Sequence, residues 1–130
     1  MGNRAVIEFQ NEGISTGLGI YLHWNGGRDS VESFLGVAKD YGLDTSDYGI
    51  ARIAQLIGNF FGGKLSIGLH HLTMLDCDNF DNGVYIVDEN LDIVDRKHLR
   101  HQEQQNVYDI EDMKREIHAI NDPIFYRKEG

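Results

Sequence analysis

The sequence predicts an α+β fold, a largely antiparallel sheet of about five strands with three helices on one face, in the order ββααβββα. Three observations lead there. Short runs rich in β-branched and aromatic residues recur along the chain, as half-buried strands require. Three other segments repeat apolar residues at helical spacing. Few stretches offer the strand, helix, strand alternation that a parallel sheet needs.

Taken in order, RAVIEF at 4 to 9 reads as a first strand, NEGISTG as a turn-rich break, and LGIYLHW at 18 to 24 as a second strand forming a hairpin with the first. After NGGRDS, residues Val31, Phe34, Leu35 and Ala38 recur at i, i+3, i+4 and i+7, which is one buried helical face. Asp29 with Glu32 has capping-box spacing, and Gly42 is a natural stop. Ser46 and Asp47 are placed to cap a second helix whose face is Ile50, Ile53, Ala54, Ile57 and Phe60 or Phe61, ended by Gly62-Gly63. It is the most apolar segment and predicts the central helix. KLSIGLHHLTML at 64 to 75 reads as a strand with a bulge at Gly68, and GVYIVDENLDIVDR at 83 to 96 as a hairpin turning on Asp88-Glu89-Asn90. A last helix over about 110 to 121 has Asp109 as cap and Ile110, Met113, Ile117 and Ile120 on one stripe. With no repeat or linker, residues 1–130 are expected to form a single domain.

Composition narrows the class. With 41% hydrophobic residues in 130, one core is expected and no staple is needed. Twelve basic against 21 acidic residues leave a net charge of −9, which argues against a phosphate-tracking nucleic-acid binder or a basic membrane-surface protein. Cys77 is the only cysteine, so no intrachain disulfide is expected. MGNRAVIEF has no secretory pattern, Val6 stands where a myristoylation motif wants Ser or Thr, and no apolar run approaches the roughly 20 residues of a membrane span. The expected location is cytoplasmic.

The sharpest local signal is NGGRDS between a strand and a helix. Adjacent glycines let backbone N–H groups converge, and a helix N-terminus adds partial positive charge, so the pair can cradle an anion that Arg28 would clamp. The segment resembles the PP-loop of ATP pyrophosphatases, SGGxDS. Gly26, Gly27, Asp29 and Ser30 match, and Asn25 replaces the first serine. That resemblance implies a loop holding a nucleotide's phosphates. The plainer reading is a tight turn followed by a capped helix. Trp24 and His23 precede the loop and face opposite ways on an alternating strand, Trp24 being either core or a base-stacking platform.

Between Leu65 and Asp95 there is no Lys or Arg, while Asp76, Asp78, Asp81, Asp88, Glu89, Asp92 and Asp95 all fall there. DCDNFDNG departs from a calcium loop, with Phe80 at a ligand position and no distal Glu, so a solvated acidic hairpin is expected rather than a metal site. Such an edge can also imitate nucleic acid toward a basic groove. Arg96, Lys97, His98, Arg100 and His101 then form the basic cluster, either pairing with the acidic hairpin or completing an anion pocket with Arg28. No zinc pattern or nucleophile with a base can be read, and Cys77 lies among carboxylates that blunt a thiolate. The candidate ligand-binding set is Trp24, Asn25, Gly26, Gly27, Arg28, Asp29, Ser30, Arg96 and Arg100, with no catalytic residue, metal or cofactor.

The segments MGNRAVI, GIYLHWNGGRDSVESFL, IGNFFGG and DNGVYIV resemble a family of small proteins carried by phages and prophages of Firmicutes and gut bacteria. The resemblance spans most of the chain and implies a counter-defence accessory protein in the host cytoplasm. Two classes of function follow. The first is a binding module that sequesters a phosphate-bearing nucleotide signal through loop 25–30. The second is an acidic inhibitor that occupies the nucleic-acid groove of a host defence nuclease. A nucleotide-processing enzyme related to PP-loop proteins is a third. The expected partner is a small anionic ligand or a host defence protein, not bulk nucleic acid or membrane, with self-association left open.

Overall fold

The computed structural model describes residues 2–97 and 106–126. Along them run β1 (Ala5–Asn11), β2 (Ile14–Leu22), α1 (Arg28–Asp40), α2 (Asp47–Phe61), β3 (Ile67–His71), β4 (Val84–Val87), β5 (Ile93–Lys97) and α3 (Ile110–Phe125), with a 3₁₀ turn at Leu72–Met74. The class is α+β and the order ββααβββα, as the periodicities predict. The sheet is mixed, ordered β3-β2-β1-β4-β5. Its central pair β1 and β4 is parallel and the other neighbours are antiparallel.

The β1–β2 hairpin turns on Glu12 and Gly13, with φ of 50° and 77°. Two positive-φ residues give the twist that matches the flanking strands, and Gly13 adopts it without steric cost. Alternation then sorts the side chains. Ala5, Ile7 and Phe9 of β1, Ile20 and Leu22 of β2, and Tyr85 and Val87 of β4 face the helices. They pack there against Val31, Phe34, Leu35 and Ala38 of α1, Ile50, Ile53, Leu56 and Ile57 of α2, and Met113 and Ile117 of α3.

The opposite face is covered too. Val6, Val84 and Ile86 are buried there, out of phase with the helix-facing core. The connection from β3 to β4 passes over this side, and its Leu72 and Leu75 lie so close to Gly19 that an added Cβ would sit 2.7 and 2.8 Å from them. Asp81 holds the connection down by accepting from the Arg4 backbone N–H (3.1 Å) and Nε (2.7 Å). Asn82 Nδ2 donates to the Arg4 carbonyl at 2.9 Å. Burial on both faces is why AVIEF and VYIV read as nearly continuous apolar runs. Glu8 is the exception, 7% exposed, with Lys97 Nζ 3.8 Å from its carboxylate.

Three boundary expectations are corrected. β3 covers only Ile67–His71, because His71 Nδ1 accepts from the Thr73 N–H and opens the 3₁₀ turn that takes the chain off the sheet. Gly68 pairs in register with Tyr21 and carries no bulge; the irregularities fall at Glu8/Gln10 and Ile86/Val87 instead. Helix α3 runs past 121 to Phe125 with Pro123 inside it. A proline so near the end removes one backbone bond, and Phe125 stacks flat on Tyr41 at 4.5 Å, holding the final turn in place. The second strand is corrected as well: β2 starts at Ile14, inside the segment read as a break, where it pairs with Asn11, and it ends at Leu22. Three end signals act as read. Gly42 (φ 72°) closes α1 with its N–H on the Lys39 carbonyl and that of Leu43 on Ala38. Ser46 Oγ caps Gly49 of α2, and Asp109 caps Asp112 of α3. No helix of the described residues is long and apolar enough to cross a membrane.

Candidate functional site

Residues Trp24 to Gly27 join the end of β2 to α1. Asn25 has φ 57°, a left-handed conformation that Asn tolerates better than most residues. Gly26 is required by close packing: an added Cβ would sit 2.6 Å from the Asn3 carbonyl oxygen and 2.8 Å from Ala5 Cβ. The Gly26 N–H donates to that same carbonyl at 2.8 Å. The close approach of backbone that the glycines permit is therefore an approach to β1.

The start of α1 is also built differently from the capping box expected. Gly27 is the N-cap, no side chain caps it, and Glu32 pairs with Arg28 at 3.0 Å. Asp29, 6% exposed, turns its carboxylate on the chain itself. Its Oδ1 accepts from the Ser30 N–H (2.7 Å), and its Oδ2 accepts from Val107 (2.6 Å) and Tyr108 (2.5 Å). In return the Asp29 N–H donates to Asn106 Oδ1 at 3.1 Å. The positive end of α1 is thus met by the protein's own buried carboxylate, and the segment before α3 is docked there.

The remaining candidates separate. Arg96 Nε donates to the Asn82 carbonyl at 2.8 Å. Arg100, with His98 and His101, lies outside the described residues. Ser30 Oγ and Tyr85 Oη are buried without a hydrogen-bond partner among the described residues. Burial pushes the Tyr85 phenol up to about 12, against the pull of Arg96 and Arg28. The acidic stretch is largely tied down. Asp81 pairs with Arg4, Asp92 with Lys39, Asp88 Oδ1 accepts from Asn90 and Asp92, and Asp95 accepts from Arg96. Burial raises the Cys77 thiol pKa, and Glu8 and Asp76 raise it further.

What the fold brings together is a groove of about 540 Å³ beside this loop. Trp24 and Asn25 come from the connection after β2, Phe60 and Phe61 from the last turn of α2, Tyr108 from the segment docked by Asp29, and Glu116 from α3. Lys64 and Ser66 close the side toward β3. The reason lies in local sequence. Gly62, at φ 68°, ends α2 just after the two phenylalanines and turns Lys64 back toward them. Phe60 and Phe61 meet edge to face at 5.4 Å, and both lean on buried Phe34. Trp24 is 45% exposed and Tyr108 49%, so each offers a ring to solvent. Trp24 lies beyond the end of β2, which corrects both its placement on an alternating strand and the core reading of its ring.

Of the residues singled out in the sequence, Trp24 and Asn25 line the groove, while Gly26, Gly27, Asp29 and Ser30 form the buried support behind it. Lys64, Tyr108 and Glu116 escape a sequence reading because they come from three places in the chain. The available signal was an unexplained aromatic at an element boundary. A second groove of about 450 Å³ lies between α1, α3 and the β4–β5 turn, but there Lys39 is paired with Asp92 and Lys114 with Asp40. In comparisons with known proteins, no family model, curated protein or solved structure matches this chain.

Proposed function

We propose that the protein binds a small ligand carrying both a flat ring and an anionic group, a nucleotide, in the groove beside Trp24. The observation that supports this most directly is the convergence of Trp24, Phe60, Phe61 and Tyr108 on one groove with Lys64, which makes no ion pair among the described residues. Aromatic rings stack on nucleobases at about 1–3 kcal/mol each, and an unpaired ammonium is free to meet a phosphate. The N–H groups of Gly26, Asp29 and Ser30 already have intramolecular acceptors, so the phosphate is assigned to Lys64 rather than to loop 25–30. One cation in a chain of net charge −9 suits a mononucleotide and not a polyphosphate backbone. The sequestering role implied by the phage-family resemblance asks for binding alone.

Trp24 is the sole tryptophan, so its fluorescence reports on the groove directly. Titration with nucleoside 5′-monophosphates is expected to quench it saturably. Trp24→Ala, followed by calorimetry, should weaken binding about tenfold or more, which is the loss of one stacking contact. Absence of both quenching and thermal stabilisation at millimolar nucleotide would refute the reading.

A further inference from the structure

Resting on that reading, we propose that Glu116 makes the groove selective for guanine. Glu116 lies on the exposed side of α3 and lines the groove with Trp24 and Tyr108. The ion pairs of α3 join Lys114 to Asp40, Arg115 to Asp112, and His118 to Asp40 and Asp122. They leave Glu116 without one among the described residues. No ion pair joins it to Lys64, so the groove is lined by an anion, a cation and four aromatic rings.

An ionised carboxylate only accepts hydrogen bonds, through two oxygens side by side. Guanine is the base that matches it. Its Watson–Crick edge presents the N1–H and the 2-amino group as two adjacent donors, whereas adenine and cytosine each place one amino group beside a ring-nitrogen acceptor. Uracil sets a single N–H between two carbonyl oxygens. Against Glu116 these three bases bring an acceptor up to a carboxylate oxygen and leave a lone pair unmatched, while guanine gains two charge-assisted bonds. A base stacked in the groove with its phosphate at Lys64 keeps its Watson–Crick edge free, and Glu116 is the carboxylate among the residues that line the same groove.

The test is a set of parallel titrations of the intact chain with GMP, IMP, AMP, CMP and UMP, read by Trp24 fluorescence and calorimetry. GMP is expected to bind at least about tenfold more tightly than AMP, CMP or UMP, and IMP, which lacks the 2-amino group, should fall between. E116Q should remove the advantage of GMP, while K64A should weaken all five nucleotides alike. Circular dichroism verifies that both variants fold. Equal affinity for every base with quenching retained would overturn guanine selection and leave the groove reading standing. No quenching by any nucleotide would overturn both. Quenching that grows with protein concentration in nucleotide-free buffer would assign the groove to a second copy of the chain, and that also overturns the proposal.

Discussion

The Asp29 carboxylate sits at the positive end of α1 and accepts from the N–H groups of Ser30, Val107 and Tyr108. An acidic residue near a helix start followed by Glu three positions on has the spacing of a capping box, and the helix does begin there. Its acceptors, however, face Val107 and Tyr108, 78 and 79 residues away, and no local pattern carries that information. Asp29→Ala would leave three N–H groups without their acceptor in a part-buried seam, at a cost of about 2 kcal/mol in urea unfolding. It should also release Tyr108 from the groove and change Trp24 fluorescence in the native state. A loss below about 1 kcal/mol would mean that the segment before α3 is held by other contacts. Gly26 gives a second check. Because an added Cβ falls within 2.8 Å of β1, Gly26→Ala should destabilise by about 2 kcal/mol through overpacking, and a neutral melt would contradict that geometry.

Among the elements, α1 and α3 are joined at one end by the Asp29 seam and at the other by His118. The His118 ring sits between Asp122 at Nδ1 (2.7 Å) and Asp40 at Nε2 (2.8 Å), and the Tyr41 hydroxyl donates to Asp122 at 2.6 Å. Burial works against the imidazolium, but the hydrogen bonds to the two carboxylates outweigh it and raise the His118 pKa above 6.5. For Asp122, burial opposes ionisation, yet hydrogen bonds from Tyr41 and His118 lower its pKa below 3.8. A raised folded-state pKa on His118 means that its stabilisation is full below about pH 6.5 and fades as pH rises through the folded value. The lowered pKa of Asp122 acts oppositely, its contribution being lost as pH falls through the folded value. The stability difference between the natural chain and His118→Ala should therefore be largest between about pH 4 and 6.5 and shrink toward pH 9, measured by thermal melts across that range. A difference that grows with rising pH would contradict the arrangement. The elements themselves were legible because each carries its own period and cap, as Ser46, Gly42 and Asp109 do. Their boundaries failed where a tertiary contact decided, as with Phe125 stacked on Tyr41 beyond Pro123.

For the whole molecule, one sheet is sealed by helices on one side and by the β3–β4 connection on the other, with the parallel β1–β4 pair at its centre. Neither layer can leave without exposing the strands they share. Unfolding should be all-or-none, with Trp24 fluorescence and far-ultraviolet circular dichroism giving coincident denaturant transitions; separated midpoints would show that the layers come apart independently. By itself the sequence determined the α+β class, the number and order of elements and most of their caps, since each depends on local periodicity and end signals. Only the tertiary structure decided that β1 lies parallel to β4, that the acidic residues are largely engaged within the chain, and that the glycine loop packs on β1. It also decided that Trp24, Phe60, Phe61, Lys64, Tyr108 and Glu116 share one groove. Those are matters of which distant surfaces meet, and burial of apolar area selects them without leaving a short-range mark in the chain.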